Sequence, residues 1–132
     1  LDGAHNPNGI EALKSAIQKF LPNKYIIAIT GMLADKDVST SVKLLDGVFD
    51  RVYTVPVHNP RAMHPAKLMQ KYAKFVDDTV TFESAEHAFD MAFEQAEKTD
   101  CAVVICGSLY LAGEIRPYII NKIKAENESA EK

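Results

Sequence analysis

Five residues in three short stretches have side chains suited to chemistry on an anionic substrate. Leu1-Asp2-Gly3-Ala4-His5-Asn6-Pro7 puts a carboxylate, an imidazole and an amide just ahead of a helix start. Gly31-Met-Leu-Ala-Asp-Lys-Asp37 sets Lys36 between two aspartates. Gly107-Ser108 places a hydroxyl where a helix begins, on backbone N–H groups at a positive helix end, which is a natural cradle for a carboxylate or phosphate. Each also has a plain structural reading. Asp2 and Asn6 serve equally well as turn and cap acceptors, and His5 as a turn residue. Lys36 can simply be solvated, and Ser108 can be an N-cap worth about 1 kcal/mol.

The surrounding sequence specifies elements that would carry these stretches. Ile10, Leu13, Ile17, Phe20 and Leu21 recur at helical spacing after Asn6-Pro7, with Pro22-Asn23 as the stop. Tyr25–Thr30 is a short apolar run of the kind buried on both faces of a parallel sheet. A second helix, capped near Ser39-Thr40, turns Val42, Leu45 and Val48 inward. Arg51–Val55 reads as a strand, followed by a loop through Pro56 to Pro65. The helix from Pro65 faces inward with Leu68, Met69, Tyr72, Phe75 and Val76. Thr79–Phe82 is another strand, and Ser84 caps a helix patterned on Ala85, Ala88, Phe89, Ala92, Phe93 and Ala96. Cys101–Cys106 is a third clear buried strand. The last helix follows Gly107-Ser108, with Leu109, Ala112 and Ile119 inward and Pro117 expected to kink or split it.

Strands alternating with helices imply βαβ units, hence a Rossmann-like three-layer α/β/α fold. The sheet should be mostly parallel, with room for an antiparallel edge strand. Residues 1–124 form one domain and 125–132 a frayed tail. With 132 residues, 47% apolar and 25% charged, the composition is that of an ordinary globular domain. Fifteen Lys+Arg against eighteen Asp+Glu give a net charge of −3, which argues against nucleic acid as a partner. Cys101 and Cys106 lie five apart in one strand and so face opposite sides, which fits free thiols in a reducing cytoplasm. No apolar run approaches a membrane span, and Leu1-Asp2-Gly3 is no secretory leader. Zinc spacings and a G-x-x-x-x-G-K-S/T nucleotide loop are both missing from the sequence.

The first stretch resembles the LDGAHNP signature of folylpolyglutamate synthases and bifunctional dihydrofolate synthases, which are relatives of the peptidoglycan (Mur) ligases. Gly107-Ser108-Leu109-Tyr110-Leu111-Ala112-Gly113-Glu114-Ile115-Arg116 resembles that family's closing motif, and Gly31–Asp37 its G-x-L-x-D-K-D loop. The Gly3-Ala4 form of the first motif favours the folate branch over the other Mur-type ligases. The resemblance implies the C-terminal domain of a two-domain enzyme, the N-terminal P-loop ATPase domain lying outside this sequence. ATP would phosphorylate a folate carboxylate and L-glutamate would attack the acyl phosphate. ATP and Mg2+ would be held mainly by the other domain. Asp2 would contact the ATP ribose and His5 would lie near the phosphates. Ser108 would bind glutamate, with Lys36 and Arg61 as further contacts for the anionic amino acid. The expected partners are that ATPase domain and the small substrates, in a monomeric cytoplasmic enzyme of which this domain alone would be inactive. Two alternatives stand beside this reading: the equivalent domain of another Mur-type amino-acid ligase, and a stand-alone α/β binding module.

Overall fold

The computed structural model describes residues 6–34 and 37–131. The order is α1 (Pro7–Phe20), β1 (Tyr25–Thr30), α2 (Val38–Leu44), β2 (Arg51–Thr54), α3 (Pro65–Tyr72), β3 (Asp78–Thr81), α4 (Ala85–Lys98), β4 (Cys101–Cys106) and α5 (Leu109–Glu131). The four strands form one sheet in the order β3-β2-β1-β4. All three pairings are parallel, so the antiparallel edge strand allowed for above does not occur among the described residues. Leu33 and Ala62 form an isolated antiparallel bridge between two loops.

The sheet separates two apolar cores. On one face α1, α2 and α3 bring Ile10, Leu13, Val42, Leu68 and Tyr72 against Ile26, Ala28, Val52 and Val104. On the other, α4 and α5 bring Phe89, Ala92, Leu111 and Ile115 against Ile27, Ile29, Tyr53 and Ile105. Alternation along β1 therefore feeds both cores, which is why its sequence is nearly continuous hydrophobe. Ile27 and Ile29 are both fully buried, each burial being worth roughly 1.5–3 kcal/mol.

Local signals set most helix starts. Asn6 Oδ1 accepts from Gly9 N at 2.9 Å with Pro7 in the first turn, and Ser84 Oγ accepts from His87 N at 3.1 Å. α2 starts earlier than the Ser39-Thr40 cap predicts. Asp37 holds the cap position instead, its Oδ1 accepting from Thr40 N at 3.3 Å. Phe20, expected inward, is 71% exposed, because α1 ends there and Leu21, one turn beyond Ile17, packs against the core in its place. Phe75 and Val76 do reach the core, but from the turn after α3 rather than from the helix.

α5 departs furthest from expectation. Its buried positions are Leu111 and Ile115, with Ala112 and Ile119 only partly covered, whereas Leu109 is 62% exposed. The hydroxyl of Ser108 fixes the first turn so that Leu109 points away from the sheet. The helix also runs through Pro117 without a break, and continues through residues 125–131, expected as a frayed tail. The carbonyl that Pro117 leaves without its helical donor belongs to Gly113, and both residues are exposed, so water can take the bond. Between α4 and α5, Tyr118 Oη donates to both Asp90 oxygens (2.7 and 2.8 Å) and Lys122 Nζ bonds Oδ1 at 2.7 Å. Burial pushes the Asp90 carboxyl up, but these two donors outweigh it and hold the acid below its usual range.

Two glycines give opposite expectations. Gly107 has φ +105°, and a Cβ there would lie 2.6 Å from Thr30 Oγ1 and 2.7 Å from the Gly31 carbonyl. Gly107→Ala should cost about 2 kcal/mol or more, whereas Gly113→Ala, with nothing within 4 Å, should gain about 0.5–1 kcal/mol. Urea midpoints of the two variants check the signs. Because Asp90 is depressed in the fold, its contribution is complete above the unfolded carboxylate range and is lost as pH falls through the folded value. Asp90→Asn should therefore flatten the acid limb of the stability–pH curve, from the ordinary carboxylate range downward, measured by thermal melts.

Candidate functional site

Among the described residues the sheet has one topological switch point, between its neighbours β1 and β4. The connection leaving β1 runs to α2 on one face, and the connection leaving β4 runs to α5 on the other. Diverging connections open a crevice at the carboxyl ends of the two strands, where ligands of such sheets gather. Residues 31–34 and Gly107-Ser108 form its two lips.

The floor of the crevice is polar. Register places Cys106, Thr30, Thr54 and Thr81 side by side across the last row of the sheet. Thr54 Oγ1 donates to the Pro65 carbonyl at 3.0 Å and lies 2.9 Å from Thr81 Oγ1. Thr30 Oγ1 and the hydroxyl of Tyr72 are buried beside one another, near enough to interact but short of good hydrogen-bond geometry. Burial, reinforced by Cys106, pushes the Tyr72 phenol well above its usual range against the opposing Thr30 hydroxyl, so Tyr72 stays neutral.

The loops above this floor are tied to each other. Ala34 N donates to the Arg61 carbonyl at 2.6 Å and Met63 N to the Met32 carbonyl at 2.8 Å, so residues 31–34 and 61–63 run as a pair. Gly31 permits this approach, since a Cβ there would lie 2.7 Å from both Val55 O and Val57 Cγ2. His58 N donates to Glu114 Oε1 at 2.9 Å, which fastens the same loop to α5. The His58 ring lies 3.7 Å from Glu114 Oε2.

Of the residues singled out in the sequence, Ser108 and Arg61 are described, while Asp2, His5 and Lys36 lie outside the described residues. Ser108 is 1% exposed, and its Oγ accepts from Tyr110 N at 3.1 Å and Leu111 N at 3.5 Å. It therefore caps α5 in this state and aims the helix N-terminus into the crevice. Arg61 is exposed, its N–H donating to Asn59 Oδ1 at 2.8 Å, on the loop paired with residues 31–34. The backbone bonds thus bring the Arg61 loop against the segment that leads to Lys36.

Two contributors escaped the sequence reading. His64 caps α3, its Nδ1 accepting from Ala66 N at 3.1 Å ahead of Pro65, the same cap-then-proline pattern as Asn6-Pro7. Glu114 was visible only as part of a motif; nothing local points it at an amide 56 positions away. Among the described residues no group of three His, Cys, Asp or Glu could hold a metal ion. No helix there is long and apolar enough to cross a membrane.

Known proteins with this pattern agree on its kind. The Mur ligase, glutamate ligase domain profile matches residues 1–109. A folylpolyglutamate synthase of Lacticaseibacillus casei is 36% identical over 91% of this chain. The dihydrofolate synthase/folylpolyglutamate synthase of Escherichia coli is 30% identical over 89% of it. The chain spans only 26% and 27% of the lengths of those two proteins. An E. coli FolC structure in complex with ADP superposes with a TM-score of 0.82 at 28% identity, covering 94% of this chain and 29% of that one. The parallel sheet, the crevice at its switch point and the matched sequence together make this chain a member of the Mur ligase glutamate ligase domain family.

Proposed function

We propose that this chain is the C-terminal, glutamate-binding domain of an ATP-dependent ligase that joins L-glutamate to a folate, acting with a P-loop ATPase domain of the same polypeptide. The observation that carries the reading is the crevice between β1 and β4, into which Ser108 aims the N-terminus of a 23-residue helix. Such a terminus offers N–H donors and a partial positive charge to an anion, here the carboxylate of the incoming amino acid. The names of most of the relatives point the same way: synthases of folylpolyglutamate, several of them named dihydrofolate synthases as well.

The proposed reaction has two steps. A carboxylate oxygen of the folate attacks the γ-phosphorus of ATP and ADP departs, leaving an acyl phosphate. The free amine of glutamate then attacks the acyl carbon, an amide C–N bond forms as the nitrogen gives up a proton to solvent, and phosphate leaves with the electron pair of the broken C–O bond. In this chain Asp2 would hold the ATP ribose and His5 would face the phosphates. Ser108, Lys36 and Arg61 would hold the glutamate anion. Mg2+, when bound, would neutralise charge on the phosphates. The described residues offer no cage for it, so its ligands are assigned to the ATPase domain.

The division of labour makes the isolated chain inactive: 1–132 alone should show no ATP hydrolysis and at most millimolar affinity for ATP or glutamate by calorimetry. In the whole enzyme, ATP hydrolysis should require folate and glutamate together. Stimulation by a peptidoglycan precursor instead would move the assignment to another Mur-type ligase. Ser108→Ala should raise the glutamate KM about tenfold while the ATP KM holds, and Asp2→Ala should do the reverse. Ser108→Asn, which keeps a helix cap but not the hydroxyl, separates the two roles. A wild-type glutamate KM in both Ser108 variants would reduce that residue to capping.

A further inference from the structure

Glutamate carries two carboxylates, and two of the groups assigned to hold it stand on different parts of the fold. Ser108 opens α5, whereas Arg61 lies on the loop between β2 and α3. A ligand gripped at both ends is measured by the distance between its holders, so whatever fixes that distance decides which dicarboxylate fits. The loop settles its own shape. Arg61 N donates to Asn59 Oδ1 at 2.8 Å and Ala62 N to the Asn59 carbonyl at 3.0 Å, which closes a turn. Its second half is bonded to the opposite lip through Ala34 and Met32. Those bonds set Arg61 against residues 31–34, and they leave its distance from α5 open.

Glu114 supplies the missing constraint. It lies in the second turn of α5, about 9 Å along the axis from Ser108, and its Oε1 accepts from His58 N at 2.9 Å. Its Oε2 lies 3.7 Å from His58 Nδ1. Val57 also roots the start of the loop in the core that holds Leu111 and Ile115, but apolar burial has no direction, whereas a hydrogen bond to a carboxylate has one. A purely stabilising role fits poorly. The His58 side chain is 82% exposed, and exposed ion pairs contribute little. The His58 amide bond is itself at the surface, so water takes it over when the carboxylate is removed. What the contact supplies is the placement of one site residue relative to another.

We propose that Glu114 is a positioning residue that sets the choice of amino acid: by holding the Arg61 loop at a fixed distance from the Ser108 end of α5, it favours glutamate over aspartate, which is one methylene shorter. The inference rests on the ligase reading above and adds to it a residue that acts through Arg61. Aspartate reaches one holder at a time across the fixed span. A loop released from α5 can follow the shorter ligand inward, so selectivity falls along with affinity. The discrimination at stake is that of one methylene, about 10–200-fold where a site senses it directly.

ADP release by the whole enzyme, with L-glutamate or L-aspartate as acceptor, tests it on Glu114→Ala, Glu114→Gln, Arg61→Ala and the double variant Glu114→Ala/Arg61→Ala. Glu114→Ala should raise the glutamate KM about tenfold and cut the glutamate-to-aspartate ratio of kcat/KM about tenfold, while the KM values for ATP and folate hold. Glu114→Gln keeps an oxygen for the His58 amide and should restore most of both. In the Arg61→Ala background, Glu114→Ala should add nothing, because the two residues act as one unit. Hydrogen exchange of the 57–60 segment should quicken about tenfold in Glu114→Ala with the 101–106 peptide unchanged, which shows the loop released in a folded protein. Additive effects in the double variant overturn the inference, as does a joint rise of the glutamate, ATP and folate KM values in Glu114→Ala. So does a wild-type glutamate KM in Arg61→Ala. A wild-type glutamate KM in Glu114→Ala beside a raised one in Arg61→Ala defeats the inference and leaves the ligase reading standing. An unsubstituted enzyme that releases no ADP in response to folate and glutamate defeats both.

Discussion

Everything at the functional end of this domain depends on one close approach. The backbone at Gly107 passes so near Thr30 and the Gly31 carbonyl that no side chain fits, and it does so at φ +105°. Only glycine tolerates both conditions together. That turn lets the chain leave β4, reverse within one residue and start α5 directly over the end of its neighbour. Without it the helix terminus would start higher and further out, and Ser108 would cap a helix aimed at solvent rather than at the crevice. Gly31 performs the matching service on the other lip, where a Cβ would strike Val55 and Val57. Two absent methyl groups thus set the width of the crevice.

The polar row beneath it serves the same end by different physics. Thr54 and Thr81 satisfy each other and the entry to α3, which anchors the loop descending from β2. Thr30 and Tyr72 place two hydroxyls in a fully buried space without a well-formed bond between them. Buried unsatisfied hydroxyls cost free energy in proportion to their isolation. Their position under the crevice, rather than in either apolar core centre, concentrates that cost at the end of the sheet where function is proposed to lie.

Much of the fold was legible in the sequence because its signals are local. The continuous hydrophobic runs at Tyr25–Thr30 and Cys101–Cys106 mark strands covered on both faces, and those strands stand as read. Asn6-Pro7, Ser84 and Pro65 mark helix starts to the residue. The errors arose where a decision is made at a distance. Leu109 looked inward by spacing, but the rotation of α5 is set by the Ser108 cap and by the packing of Leu111 and Ile115 on strands far away in sequence. Asp37 outcompeted Ser39 and Thr40 as a cap because an upstream acceptor reaches the free N–H groups first. At the site, the helix-end chemistry of Ser108 could be read from a glycine and a hydroxyl in a row. The pairing of residues 31–34 with 61–63, and the reach of Glu114 to His58, are tertiary facts with no local trace.

That last bond has a mechanical meaning. Glu114 sits in the second turn of α5 and grips the start of the loop that carries Arg61, and the far end of that loop is laced to residues 32–34. The helix, the loop and the opposite lip are therefore linked in series, like bars joined by pins. A push delivered to the exposed side of α5 by a neighbouring body would travel round the rim and narrow or spread the opening from both sides at once. In such a linkage the carboxylate of Glu114 is the joint between α5 and the loop.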